Sequence, residues 1–155
     1  MRTLLLAAGL LAMSAAVEAR PGTATKYRPA NMFGGYSDKV VEPGVWRVSG
    51  KANGVSEDGF AEKMAVYRAA EVVRQAGFEY MQIINQKGKK SFVGLGGASS
   101  MHSAGQDLTL WVRGSHENNP PTECRAKEAN ACFTVPVAEA MERIAPFLTF
   151  PSDGS

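Results

Sequence analysis

A helix that is apolar on two opposite faces must be covered on two sides, and residues 57–76 read as such a helix. Ser56 stands where an N-cap belongs, Glu57 and Asp58 put negative charge into the first turn, and Gly77 follows the last periodic residue. Ala61, Ala65, Ala69, Val72, Val73 and Ala76 fall on one side, and side chains that small let a helix approach a sheet closely. Phe60, Met64 and Tyr67 stack on the opposite side at i, i+4 and i+7. The first face calls for a sheet. The second calls either for another helix, with Met141, Ile144 and Phe147 offering a matching apolar face, or for a docked partner or lipid.

Segments on either side of this helix supply the sheet. Residues 45–50 form a short β-rich run that ends in the turn chemistry of Ala52-Asn53-Gly54. Residues 78–85 read as a second strand, and 91–95 are a candidate third. Between those two lies a lysine-bearing turn, Gln86 to Lys90, the composition of an exposed hairpin tip. In residues 107–113, Leu108, Leu110 and Val112 alternate with Thr109, Trp111 and Arg113, which marks a strand with one buried face. Residues 114–133 read as a long loop. A second helix follows over 136–145, started by Pro136 and patterned by Val137, Ala140, Met141 and Ile144. The expected fold is therefore α+β: a two-layer domain with a mostly antiparallel sheet of about four strands and two helices on one face.

The N-terminus constrains the compartment. Met1-Arg2 is charged, Leu4–Met13 is an unbroken apolar run, and Ser14–Ala19 is a small-residue segment, the three-part order of a secretory signal. Spanning a bilayer takes about 20 apolar residues, and this run is shorter, so no transmembrane anchor is expected. Val17-Glu18-Ala19 sets the expected cut before Arg20, with a cut after Ala16 as the alternative. Residues 1–19 are thus expected as signal, 20–35 as an extended lead-in, 36–150 as one domain and 151–155 as a frayed tail. The 136 residues after the signal carry 16 basic and 14 acidic side chains, a balance that gives no ground for a nucleic-acid partner.

Cys124 and Cys132 are the two cysteines, and an even count in an exported chain is most simply a disulfide. A metal site with His116 is the weaker alternative, because one His and two widely spaced Cys match no zinc pattern. The expected metal and cofactor content is none.

Motifs for chemistry are sparse. The chain has no Gly-x-Ser-x-Gly elbow, His-Glu-x-x-His helix, Cys-x-x-Cys pair or dinucleotide fingerprint. Gly94-Leu95-Gly96-Gly97 is not followed by Lys-Ser/Thr, so it reads as a flexible loop rather than a phosphate cradle. His102 lies near Ser99, Ser100 and Ser103, but adjacency in sequence does not make a catalytic triad. Arg68 and Glu71 read as a surface or half-buried ion pair worth about 0.2–0.5 kcal/mol.

The order Gly35-Tyr36-Ser37, Trp46-Arg47-Val48-Ser49-Gly50, Asn53-Gly54, Tyr67-Arg68-Ala69-Ala70-Glu71 and Ala76-Gly77-Phe78 resembles a family. It is similar to the small uncharacterised lipoproteins of Gram-negative envelopes, over about a third of the chain. The resemblance implies an α+β envelope domain and brings no catalytic residues with it. This chain departs from that family in having no lipidation cysteine at the cleavage point. The function expected is a non-enzymatic, soluble periplasmic interaction or structural module of the cell envelope, with an envelope protein or a lipid as partner. The alternatives are a small-ligand or lipid carrier using the Phe60, Met64 and Tyr67 stripe, and a hydrolase-like enzyme with its site near His102.

Overall fold

The computed structural model describes residues 23–88 and 105–152. Five strands, β1 (Gly34–Glu42), β2 (Val45–Asn53), β3 (Tyr80–Gly88), β4 (Gly105–Ser115) and β5 (Phe133–Pro136), form one antiparallel sheet in the order β1-β2-β4-β3-β5. Two helices, α1 (Phe60–Gln75) and α2 (Val137–Ile144), complete the α+β fold. Among the described residues no helix is long and apolar enough to cross a membrane.

Alternation along the strands divides the sheet into two faces. Val48 and Ala52 of β2, Leu108, Leu110 and Val112 of β4, and Met81 and Ile83 of β3 join the buried apolar cluster with both helices. The small residues of α1 have the expected effect. Ala61, Ala65 and Ala69 are fully buried, and Gly50 of β2 lies so close that an added Cβ would stand 2.3 Å from the Ala61 carbonyl oxygen. The helix ends as its sequence indicates: Gly77 adopts φ +89°, its N–H donates to Arg74, and the Phe78 N–H donates to Val73.

The other end of α1 differs from expectation. The helix starts at Phe60 after Gly59, which takes a left-handed conformation, and Ser56 does not cap it. The Ser56 hydroxyl instead accepts from the Thr25 N–H at 2.9 Å and bonds Asn53 Oδ1 at 3.0 Å. This ties down the segment expected to be a free lead-in. From Thr25 onward it is part of the domain: Thr25 and Tyr27 are buried, and the Tyr27 N–H donates to the Thr149 carbonyl.

Two strands were not expected. β1 begins at Gly34 and carries an irregularity between Val40 and Glu42, and the four-residue β5 lies in the stretch read as loop and second helix start. The candidate strand 91–95, the Gly94–Gly97 loop, His102 and residues 1–19 lie outside the described residues.

Candidate functional site

The Phe60, Met64 and Tyr67 stripe runs from the core to its edge. Phe60 and Met64 are 5% and 0% exposed and belong to the same cluster as Met141 and Ile144 of α2. Tyr67 is half-buried, in edge contact with the rings of Tyr27 and Phe150. Phe60 and Met64 are therefore core side chains with no surface to offer a partner, and Tyr67 lies at the edge of that core.

Beside Tyr67 lies a polar network that sequence reasoning saw only in part. Arg68 bonds Glu71 at 3.0 Å, as its spacing suggested, but its Nε also donates to Asp38 of β1 at 2.7 Å. Its guanidinium lies 4.7 Å from the centre of the Tyr36 ring. The Tyr27 hydroxyl donates to the same Glu71 oxygen that Arg68 holds. Burial, and then the bond to Glu71, push the Tyr27 phenol far above the ordinary tyrosine range. Burial alone would lower the Arg68 pKa, but bonds to Asp38 and Glu71 outweigh it and hold the cation more firmly. A phenol that holds its proton this tightly is a poor acid or base at neutral pH, and both carboxylates are engaged by Arg68. The network fastens the N-terminal segment and β1 to α1. It joins Tyr36 of the Gly-Tyr-Ser run to Arg68 and Glu71 of the Arg-Ala-Ala-Glu run.

The second arrangement lies on the sheet face away from the helices. Cys124 and Cys132 form a disulfide, and their segment crosses one end of this face. The Arg125 N–H donates to the Ile84 carbonyl at 2.7 Å, and the Gln82 side chain donates to the Asn119 carbonyl, so the segment covers β3 and buries Ile84. An ion chain continues across the sheet: Arg113 to Glu123 at 2.7 Å, Glu123 to Arg125 at 2.6 Å, Arg125 to Glu42 at 2.9 Å. Arg125 and then Arg113 hold the Glu123 carboxyl below its usual range. His116 stays apart from the cysteines, paired with Glu79 at 2.9 Å. Among the described residues no group of three metal-ligating side chains is assembled.

Beyond the covered end no described segment crosses the face. Register places Lys39, Arg47, Trp111 and Asn85 in one row across β1, β2, β4 and β3. The next row is Ser37, Ser49, Thr109 and Lys87, and Lys51 faces Asp107 in the third. Two contacts confirm the alignment. The Ser49 and Thr109 hydroxyls are 2.9 Å apart, and the Arg47 guanidinium stands 5.9 Å from the centre of the Trp111 ring. Lys39, Arg47, Lys51 and Lys87 are exposed, and among the described residues none of them forms an ion pair. Of this face, the sequence had shown only the outward half of β4. The cations of β1 and β2 join it through strand pairing that no local pattern encodes.

No protein-family model matches the chain, and no curated protein or solved structure matches it.

Proposed function

We propose that this chain is a non-enzymatic module of the periplasmic cell envelope, exported by residues 1–19, free in solution after cleavage, and active through contact rather than chemistry. The observation that carries this reading is the contrast between the two polar arrangements. The ionised groups around Arg68 are spent on one another, whereas Lys39, Arg47 and Lys87, together with Lys51 opposite Asp107, form no ion pair among the described residues. Charge displayed without a partner inside the fold favours association with an oppositely charged partner outside it. The likeness to small envelope lipoproteins and the disulfide, which persists in oxidising compartments, support the same placement. The carrier alternative loses its basis with Phe60 and Met64 in the core, and the hydrolase alternative rests on His102, outside the described residues.

The test is expression of the full chain in a Gram-negative host, followed by osmotic shock and N-terminal sequencing. The expected product starts at Arg20 and divides between shock fluid and envelope pellet. Lys39→Glu/Arg47→Glu is expected to move it into the shock fluid. An uncut chain retained in the cytoplasm, or an identical division for both forms, overturns the reading.

A further inference from the structure

Building on the cation-bearing sheet face as the contact surface, we infer that its occupant is an anionic lipid surface, met by Lys39, Arg47, Lys51 and Lys87 around Trp111. Three observations lead there. Neutralisation on this face stops where the disulfide segment stops. Arg113 and Arg125 under that segment are paired with Glu123 and Glu42, whereas the cations beyond it form no ion pair among the described residues, Asp107 opposite Lys51 being the one acid in their rows. Charge on the opposite layer is balanced: α1 and α2 together hold the four acids Glu62, Glu71, Glu139 and Glu142 against the four bases Lys63, Arg68, Arg74 and Arg143. An anionic plane therefore orients the molecule with its sheet, not its helices, toward the charge.

The third observation is the layout of the cations, which decides between a plane and a thread. Lys39 and Arg47 are direct partners on neighbouring strands, about 5 Å apart along the backbone. Lys51 lies four residues further along β2, about 13 Å from Arg47, and Lys87 lies two strands away, about 10 Å across the sheet. Charges spread over two dimensions suit a field of headgroups, whereas a linear polyanion is gripped by a single track. Trp111, half-buried among them, is the residue type that settles at a lipid–water boundary with an apolar ring and one N–H donor. It is also the single large apolar side chain of these rows, so the contact is adsorption, reversible by salt.

The probe is a vesicle of phosphatidylglycerol and phosphatidylcholine, with pure phosphatidylcholine as comparison, sedimented with the exported form of the protein in about 0.1 M salt. Binding to the anionic vesicles alone is expected, with loss at about 0.5 M salt. Each cation removed weakens partitioning about five-fold, so Lys39→Gln/Arg47→Gln should lose about thirty-fold, while Arg47→Lys stays close to the parent. Melting temperature checks that both variants are folded. Absence of binding, equal binding to both vesicles, or a double variant within about two-fold of the parent overturns the inference. If vesicles fail while Lys39→Glu/Arg47→Glu still releases protein from the envelope pellet, the occupant is another polyanion. The lipid inference then falls and the contact-module reading stands.

Discussion

Replacing Gly50 by Ala tests the closest approach in the molecule. Gly50 has an ordinary backbone conformation, so the added methyl meets no intrinsic strain. In an open strand the change would be neutral or would stabilise by about 0.4–1 kcal/mol, through the lower entropy of the unfolded chain. Here the new Cβ would stand 2.3 Å from the Ala61 oxygen, 3.1 Å from the Ala65 nitrogen and 3.2 Å from the Ala61 carbonyl carbon. Ordinary carbon–oxygen contacts begin near 3.3 Å, so α1 must lift by about 1 Å at that point. A gap of that size forfeits a quarter to a half of each dispersion contact beneath the helix. Because the obstacle is helix backbone and not a rotatable side chain, the cost belongs at the upper end of the overpacking range, about 3 kcal/mol. That corresponds to a fall of roughly 10 °C in melting temperature, and of about 1–2 M in the urea midpoint. Gly44→Ala is the control: it has φ +72° and nothing within 4 Å, so it carries only the left-handed penalty of about 1–2 kcal/mol. A Gly50→Ala midpoint equal to or above the parent's would refute the close packing of α1 on β2.

Two further outcomes follow from the polar groups. The Tyr27 phenol has a raised pKa, so its contribution to stability is complete below about pH 10 and is lost as pH climbs above that value. Tyr27→Phe removes the titrating group, and its melting temperature should fall less steeply than the parent's between pH 9 and 12. Parallel slopes would contradict the assigned cause. Cys124→Ser/Cys132→Ser should cost about 2.5 kcal/mol by the chain-entropy estimate for so short a loop. It should also speed hydrogen exchange at the Arg125 amide, whose acceptor is the Ile84 carbonyl, and unchanged exchange would show that the bond does not hold the cover in place.

Sequence reading recovered the parts of this fold whose pattern is local. α1, its Gly77 stop, the alternation of β4 and the apolar stripe of α2 each repeat within one segment, so periodicity alone locates them. β1 escaped because paired glycines open it and its residues after Tyr36 are exposed, which leaves no buried alternation to read. β5 escaped because four residues ending in a proline resemble the start of the helix that follows. Tyr27 was the least visible of all. Its ring partners Tyr36, Tyr67 and Phe150, and its acceptor Glu71, come from distant parts of the chain, and a lone tyrosine in an unpatterned stretch carries no sign of them. The Arg68–Glu71 pair was legible at its spacing of three, while Asp38, thirty residues away, was not. Cys124 and Cys132 were readable as a bonded pair, but the covering role of their segment depends on where β3 places Ile84.

The strand order also fixes when the domain can assemble. β4 sits between β2 and β3, yet it follows both in sequence. Until residues 105–115 insert, β2 and β3 cannot be joined, and α1 has only half a floor beneath it. The central ladder therefore closes through contacts distant in sequence, the kind of topology that slows folding relative to local pairing. The first half of the chain can pair β1 with β2 and lay α1 on β2, but the strand that joins this part to β3 lies in the last third of the polypeptide.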